Sequence, residues 1–520
     1  MKLLLNLLMC VALSSVCAQS ACLTYGSPSY ELPGDIIETA DGGMAICGHS
    51  NYINGEFSDY LLIKTDSMGE VQWSKIFFSD HQDLGFDMLQ ANDGTYFIAG
   101  TTFNDSMNYD MSILHVSEAG ELMEAAFFGN AYAQLGFTMI QMPDGGFIIG
   151  GHSDSLTDVS LLFQPSIIRV NANLEPLWLQ RFDQCPQCTG EVYDIKLLET
   201  GEFMVAGYVT ESFFSSTNDA FVAKFDIDGN LLWYNQTSGV DEFLVAGQCL
   251  APTPDGGCML MAQMNNGTYE VLVAYINAAG ETQWVKQFDT GGADYVGDIL
   301  RTHDNHYAAS FTSDNGSRRS VLMKMNIDGD TLFTKMMSNG TMEFQTNMIE
   351  RSNHTFALVN NFIPDGESTD EIMLYLTTEN GDNCLPDEIE IEITDLPFLY
   401  STETNMFFSH VEKSGSLITY PGLGGNVICA DTVSVPVPVT SIPGNREAVI
   451  VPNPSSGLFK IHAEHIVSVY LTNVSGQHVE ADISLTETDV IVNLAQPSGL
   501  YFVYVTYENG VVDRLAVMIE

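Results

Sequence analysis

Basic residues are scarce in this chain. Only 18 of its 520 residues are Lys or Arg, against 67 Asp or Glu, which gives a formal net charge of −49 at pH 7. Binding to nucleic acid needs a basic face for phosphate contacts, and docking on an anionic membrane needs a basic surface. The charge therefore argues against both functions and indicates an acidic, soluble, secreted protein. The alternative is that the negative charge serves to bind cations.

Long apolar runs are missing beyond the N-terminus, so the sequence predicts no transmembrane segment. At the N-terminus, Lys2 precedes the apolar run 3–13, and the small-residue sequence Val16-Cys17-Ala18 follows it. This order is typical of an export signal that is cleaved after the small residues. The alternative is a lipoprotein signal, which the residue before Cys17 disfavours. We predict that residues 1–18 are a signal peptide.

Sequence motifs for catalysis and metal binding are also missing. The chain has no HExxH, no GxSxG and no phosphate-binding loop. Segments beginning at Asp226 and Asn326 have the composition of calcium loops, but they lack the spaced ligands of an EF-hand, so we interpret them as turns. His303 and His306 lie at a predicted hairpin tip without a third ligand. We therefore predict no catalytic residue, no metal and no cofactor.

The chain does contain a repeated sequence motif, which we call the repeated phrase. The segment from Asp59 to Lys75 reads DYLLIKTDSMGEVQWSK, a β-rich run and a turn followed by a second run with Trp73. Copies span Ala220 to Asn235, Val271 to Phe288 and, more weakly, Ser320 to Met336. Internal repeats of this length decide the architecture.

A series of turn signals has one member in each repeat. Asp-Gly between two short apolar runs predicts a β-hairpin, because the favoured hairpin turns need a positive φ. The series runs from residue 41 to residue 353 in six intervals that average 52 residues. Its members are Asp41-Gly42-Gly43, Asn92-Asp93-Gly94, Asp144-Gly145-Gly146, Thr200-Gly201, Asp255-Gly256-Gly257, Asp304-Asn305 and Asn353-His354.

Each repeat thus holds two hairpins and no helical pattern. A unit of about 50 residues with four strands is a propeller blade. We predict an all-β fold in which residues 19–385 form a seven-bladed β-propeller, with six or eight blades as alternatives. The last repeat lacks a final strand, and Leu23-Thr24-Tyr25-Gly26 resembles that strand as it occurs at Phe127-Phe128-Gly129. We expect the N-terminal strand to complete the last blade.

Eight cysteines remain after signal cleavage, and an even number in an oxidising compartment predicts disulfides. Completion of the last blade brings Cys22 near Cys384, and a disulfide there would contribute roughly 4–5 kcal/mol. The alternative pairs Cys384 with Cys429. Cys185 and Cys188 form a lone CxxC without a second ligand pair for zinc, and we predict a loop disulfide between them.

The C-terminal part of the chain breaks the repeat. We predict accessory strands and a linker over residues 386–445. Residues 446–520 contain short alternating runs with regular turns and no helix, which predicts a small β-sandwich, Ig-like in class.

This last segment resembles the C-terminal sorting domain of type IX secretion cargo in the Bacteroidetes group. The matching pieces are Pro452-Asn453-Pro454 with Gly457, the turn Val474-Ser475-Gly476-Gln477, and Gly499-Leu500-Tyr501 at the head of a late strand. The resemblance implies the type IX secretion machinery as a partner. It also implies passage through the periplasm and outer membrane, and a final location in the medium or on the outer cell surface. The repeats resemble the DGG-type propeller repeats of secreted proteins of the same bacteria.

The connections between the second and third strands of the repeats differ in length and chemistry. In a four-stranded blade these connections emerge together on the face opposite the regular turns, and variable loops on a rigid scaffold tend to carry binding. The residues that we predict to bind a ligand are Tyr52, Phe57, Phe213, Phe214, Arg318 and Arg319. The sequence favours a non-catalytic propeller that binds an extracellular protein or glycan. The alternative is a polysaccharide-active propeller enzyme, which would show paired carboxylates in a central pocket.

Overall fold

The computed structural model describes residues 20–519, with gaps. The residues outside the description are 28, 52–56, 80, 104–107, 130–132, 157–160, 183–188, 211–217, 239–243, 338–342, 364–369, 384–385, 390, 397–398, 402–405, 410–411, 415–417, 422–424, 432–448, 452–457, 463–465, 474–477, 480, 486–488, 495–498 and 508–511. The described residues form strands and turns and no helix, so the prediction of an all-β protein is confirmed. Among them, no helix could cross a membrane. The chain forms two compact units, Met1–Ser434 and Val435–Glu520.

The larger unit contains seven antiparallel sheets of the same plan, and each of the first six repeats supplies four strands to one of them. Sheet 7 takes three strands from its repeat and the fourth from the N-terminus. The strands are β1 (Ser20–Tyr25), β2 (Glu31–Glu38), β3 (Met44–Ser50), β4 (Asp59–Thr65) and β5 (Val71–Phe78). They continue with β6 (Asp83–Gln90), β7 (Tyr96–Phe103), β8 (Tyr109–Val116), β9 (Leu122–Gly129), β10 (Gln134–Gln141), β11 (Phe147–Leu156), β12 (Leu161–Val170) and β13 (Pro176–Phe182). Next are β14 (Thr189–Leu197), β15 (Phe203–Thr210), β16 (Asp219–Phe225), β17 (Leu231–Ser238), β18 (Leu244–Pro252), β19 (Cys258–Asn265), β20 (Tyr269–Ile276) and β21 (Thr282–Asp289). The last are β22 (Ala293–Arg301), β23 (Tyr307–Asp314), β24 (Arg318–Met325), β25 (Thr331–Met337), β26 (Glu343–Glu350), β27 (Phe356–Phe362) and β28 (Glu371–Leu376).

Sheet 1 is built from β2 to β5, sheet 2 from β6 to β9, and so on in fours to sheet 6, which is built from β22 to β25. Sheet 7 is built from β26, β27, β28 and β1, in that order. In it, Leu23 is the register partner of Leu374, so the predicted completion of the last repeat by the N-terminal strand is confirmed.

The sheets pack face to face in chain order. One hydrophobic cluster lies at each boundary between consecutive sheets, and another joins sheet 7 to sheet 1, where Leu23 and Leu374 pack with Ile36 and Ile46. A middle strand is therefore covered on both sides, which is why all seven residues of β4 are buried. Such strands show continuous apolar runs, unlike the alternating pattern of a half-exposed strand.

Tryptophans connect neighbouring sheets. The Trp178 indole lies against Gly229, a turn residue of the next sheet with φ of 85°, where a Cβ would come within 2.7 Å of the ring. Trp73, Trp233 and Trp284 make the same contact with the equivalent glycines of the sheets that follow them. The recurrence of Trp and of the turn Gly in the repeated phrase thus reflects one contact made four times.

A fifth strand borders each of the seven sheets, and all seven come from residues 386–431, which we name the edge segment. Its strands are β29 (Pro386–Glu388), β30 (Glu392–Asp395), β31 (Leu399–Ser401), β32 (Met406–Ser409), β33 (Glu412–Ser414), β34 (Ile418–Pro421) and β35 (Gly425–Asp431). They pair in turn with sheets 6, 5, 4, 3, 2, 1 and 7, each on the edge opposite the first strand of the repeat. The segment thus pairs with every sheet once, first with sheets 6 to 1 in reverse chain order and then with sheet 7.

The smaller unit contains two four-stranded antiparallel sheets. One has the order β36 (Val449–Val451), β37 (Leu458–His462), β41 (Asp489–Asn493), β40 (Asp482–Leu485), and the other β39 (His478–Val479), β38 (Ile466–Asn473), β42 (Gly499–Tyr507), β43 (Val512–Ile519). Both sheets contribute to one hydrophobic cluster, which includes Ile461, Val492 and Val503.

Candidate binding face

The two ends of the repeat sheets differ. The hairpin turns between first and second strands and between third and fourth strands lie at one end, which we name the turn face. The connections between second and third strands, and those from one sheet to the next, lie at the other end, the variable-loop face. The Asp-Gly turns are built locally: the Asp41 carboxylate accepts hydrogen bonds from the Gly43 N–H (3.0 Å) and the Thr39 hydroxyl (2.6 Å).

The predicted ligand-binding residues are only partly described. Tyr52, Phe213 and Phe214 lie outside the described residues. Phe57 is described, and its side chain is 42% exposed. Arg318 and Arg319 begin β24 on the variable-loop face. The assignment of these six residues to one ligand site remains a prediction.

Arg318 belongs to an aromatic cluster that the sequence did not suggest. Its guanidinium lies 5.0 Å from the centroid of the Tyr295 ring, and its Nε donates to Asp314 at 3.1 Å. The Tyr295 ring lies 4.9 Å from that of Tyr269, which is 40% exposed. Arg319 is directed elsewhere, toward Ser317 and the sulfur of Met336. One predicted residue is thus joined by two tyrosines from neighbouring sheets, and the three form what we name the tyrosine cluster.

A chain of aromatic rings runs across the first and second strands of sheets 1 to 4. Phe86, Phe137 and Tyr193 occupy equivalent positions, each at a β-bulge in the first strand of its sheet. The Phe86 and Phe137 centroids are 5.3 Å apart, and those of Phe137 and Tyr193 are 6.0 Å apart. His49 and Tyr208 extend the chain at its two ends.

In four of the seven sheets, the residue after the bulge of the first strand is an aspartate. The residues are Asp35, Asp87, Asp194 and Asp298, which we name the inner carboxylates. All four accept a backbone N–H from the following sheet: Asp35 from Met88 (3.3 Å), Asp87 from Met139 (2.6 Å), Asp194 from Leu250 (2.7 Å) and Asp298 from Met348. In the seventh sheet Asn347 replaces the carboxylate and donates to the carbonyl oxygen of Gly34.

Lys196 is the cation among the inner carboxylates. Its Nζ lies 2.9 Å from Asp194, and its side chain is 40% exposed. Although burial opposes the shift, the carboxylates of Asp194, Asp298 and Asp87 raise the pKa of the ammonium, so it stays charged. Burial raises the pKa of Asp298 to about 6, and burial together with Asp87 raises that of Asp35 well above its usual range. The inner carboxylates therefore repel one another, and the Lys196 ammonium compensates this repulsion in part.

Two groups among the described residues bring three metal-ligating atoms within 4.8 Å of one another. One consists of His303, Glu350 and His354 on the turn face, so His303 has neighbours that the sequence did not reveal. The two imidazoles stack with centroids 3.5 Å apart, but Glu350 already accepts hydrogen bonds from the ring and the backbone N–H of His303, both at 2.7 Å. The other group is Glu270, Asp289 and Asp294.

The cysteine predictions are left open. Cys384, Cys185 and Cys188 lie outside the described residues, so neither predicted disulfide is tested. Cys22 is buried in β1, and its register partner in β35 is Cys429. Cys249 and Cys258, which flank one hairpin, are unbonded to each other.

Of the predicted C-terminal sorting residues, the structure describes some and not others. Gly499 begins β42, and Tyr501 is buried in that strand. Pro452, Asn453, Pro454 and Gly457 lie outside the described residues. The part of the predicted motif that the structure describes is therefore a strand with a buried aromatic residue.

Comparison with known proteins identifies one segment. Residues 449–518 match the family model of a secretion system C-terminal sorting domain. No curated protein matches the chain. Among solved structures, the chain is similar to a protein of unknown function from Dyadobacter fermentans DSM 18053, with a TM-score of 0.46 and 11% identity over 68% of this chain and 97% of that one. The sorting domain addresses the chain to the type IX secretion machinery, which exports it by way of the periplasm to the medium or the outer cell surface.

Proposed function

We propose that residues 20–431 form a seven-bladed β-propeller that binds an extracellular glycan on its variable-loop face, without catalysis. Seven sheets of one plan that pack in chain order, with the seventh against the first, support the propeller. The type IX route delivers this unit to the cell exterior, where extracellular polymers are the available ligands.

The tyrosine cluster is the observation that carries the binding proposal. Tyr269 and Tyr295 come from two adjacent sheets and sit beside Arg318, which stacks on one of them. Aromatic side chains with a polar group combine an apolar surface with hydrogen bonding, and they are enriched where ligands bind. The C–H faces and hydroxyl groups of a sugar match this combination. An acidic chain with a net charge of −49 favours a neutral or basic glycan over an acidic one.

The inner carboxylates argue for binding over the enzyme alternative. A glycosidase needs one carboxylic acid to donate a proton and one free carboxylate to act on the sugar or on water. Asp35, Asp87 and Asp194 instead accept backbone hydrogen bonds from the next sheet. They occupy the same bulge position in sheets 1, 2 and 4 and connect each of these sheets to the next, so we assign them to structure.

The test is glycan binding by the processed protein purified from native culture. Replacing Tyr269 by Ala should weaken binding to the glycan found on an array by at least tenfold, as expected for an exposed aromatic anchor. Ile227→Ala is the matched control, because Ile227 is also a large exposed apolar residue but lies in a turn on the turn face. Equal loss in both variants, or no glycan binding together with capture of a defined protein by the wild type, would overturn the glycan proposal. Release of reducing ends from a bound polysaccharide would support the enzyme.

A further inference from the structure

Three carboxylates meet at the variable-loop end of the boundary between sheets 5 and 6. Glu270 is the second residue of β20, Asp289 is the last residue of β21, and Asp294 is the second residue of β22. One oxygen from each lies within 4.8 Å of the others. Asp294 is fully buried and Glu270 is only 6% exposed. Like charges this close in a buried place repel one another strongly unless a cation lies between them.

The Glu270 carboxylate has an oxygen without a partner. Its Oε2 is buried and makes no hydrogen bond to any described residue. Burial and the charges of Asp289 and Asp294 raise the pKa of Glu270 to about 7, against a hydrogen bond from Gln287 that lowers it. A buried polar atom left unpaired costs on the order of 1–3 kcal/mol, and more when the group is charged. This oxygen is therefore open for a ligand.

Asp294 is held in place by the adjacent loop. Its Oδ1 accepts from the Thr290 hydroxyl at 2.6 Å and its Oδ2 from the Thr290 N–H at 2.9 Å. Asp289 accepts from the Gly291 N–H at 2.6 Å. The Ser313 side chain also hydrogen-bonds Asp294. A carboxylate offers about four lone pairs, so these hydrogen bonds orient the two carboxylates and leave acceptor positions for a cation.

The repeats show that the third carboxylate is a local addition. At the boundary between sheets 1 and 2, Asp59 and Asp83 occupy the positions of Glu270 and Asp294, each 211 residues earlier. The residue 211 before Asp289 is Phe78, so that boundary has an apolar side chain at the third position. The hairpin and loop geometry thus accounts for a pair of acids but not for the third.

We infer that Glu270, Asp289 and Asp294 bind a divalent cation of the calcium class. Calcium takes oxygen ligands at 2.3–2.6 Å, so oxygens up to about 4.8 Å apart can share one ion. The three carboxylates are hard anionic ligands without nitrogen or sulfur, which excludes the preferences of zinc and copper. The site is on an exported protein, and extracellular calcium modules bind with Kd on the order of 10⁻⁴–10⁻³ M.

Bound calcium would hold the two rings of the tyrosine cluster in a fixed relative position. Tyr269 directly precedes Glu270, and Tyr295 directly follows Asp294. An ion shared by Glu270 and Asp294 would fix the starts of β20 and β22 relative to each other, and with them the two rings. The cation site is nevertheless independent of the identity of any ligand on that face.

The experiment is calcium titration of the processed protein after removal of metals by a chelator, in 0.15 M NaCl with 1 mM Mg²⁺ to suppress nonspecific binding by the acidic surface. Calorimetry should show a calcium site in the wild type, and Asp289→Asn should weaken it at least tenfold. Asp328→Asn is the control, because Asp328 is an exposed acid in the calcium-like turn of sheet 6, and it should leave the site unchanged.

Thermal unfolding distinguishes the loss of a calcium site from misfolding of the variant. In chelator, Asp289→Asn should melt at or above the wild-type temperature, because one of three repelling charges is gone. Calcium should raise the melting temperature of the wild type and of Asp328→Asn, but not that of Asp289→Asn. An identical calcium response in wild type and Asp289→Asn, or no calcium response in the wild type, would overturn the site.

Discussion

Asp59 is a buried charge whose removal should stabilise the protein. The residue is fully buried at the boundary between sheets 1 and 2, and neither carboxylate oxygen has a hydrogen-bond partner among the described residues. Burial and the neighbouring Asp83 raise its pKa from 3.8 to about 7. Asn has nearly the same shape and no charge, so Asp59→Asn removes the repulsion without leaving a cavity.

The size and the pH dependence of the effect follow from this pKa. A shift of about 3 units corresponds to roughly 4 kcal/mol at 1.36 kcal/mol per unit, and we halve this to about 2 kcal/mol for water penetration at the end of the sheet. Because the folded-state pKa of this acid is raised, the native state binds more protons than the unfolded state between pH 4 and pH 7. The penalty in the wild type is therefore absent near pH 4, grows as the pH rises to about 7, and is constant above it.

Urea unfolding followed by tryptophan fluorescence measures this effect. All four tryptophans lie in sheets 1, 3, 4 and 5, so the signal reports on the larger unit alone. In chelator, Asp59→Asn should gain about 2 kcal/mol over the wild type at pH 8 and only about 0.5 kcal/mol at pH 4.5, and Asp328→Asn should differ little at either pH. A gain of equal size at both pH values, or a destabilisation at pH 8, would refute the assignment of an ionised buried carboxylate.

Three further predictions concern other parts of the chain. Gly229→Ala should destabilise the larger unit by about 2–4 kcal/mol in the same urea assay, since its Cβ would meet an indole, whereas Gly42→Ala, with similar φ but open space, should cost only about 1 kcal/mol. Peptide mapping without reduction should link Cys22 to Cys429, because directly opposed residues on antiparallel strands have the Cα separation of a disulfide; a Cys22–Cys384 peptide would contradict this. Deleting residues 446–520 should leave the protein in the periplasm by cell fractionation, and its appearance in the medium would contradict the role of the sorting domain.

The repeat and its turns were predictable because local chemistry fixes them. Asp-Gly between apolar runs specified the hairpins, and the pairing of the N-terminal strand with the last repeat followed from the strand missing there. The position of Gly256 in its turn is a local backbone requirement, since its φ is 87°. Such signals need no knowledge of the neighbouring sheets.

The candidate site was less predictable. The sequence pointed to Arg318, but its partners Tyr269 and Tyr295 are 26 residues apart and meet only because two sheets pack together. The sequence did not predict the aromatic chain. A bulge inserts an extra residue and interrupts the alternation of side chains between the two faces of the sheet, so Phe86 does not lie on the face where a regular strand would place it. The sequence did not predict the path of the edge segment either. Most of its strands are only three or four residues long and pair mainly through backbone atoms, which leave no pattern in the sequence.

The edge segment has a consequence for the order of assembly. Its first strand pairs Asp387 with Met336, 51 positions away, and its last pairs Cys429 with Cys22, 407 positions away. Loop-closure entropy makes the distant pairing slow if it must form alone, but each preceding pairing leaves only a few residues to close for the next. Pairing can therefore advance like a zipper from sheet 6 round to sheet 7, where it needs the N-terminal strand already docked. The two ends of the larger unit meet at this last step, so the edge segment can complete its pairing only after β1 has docked on β28.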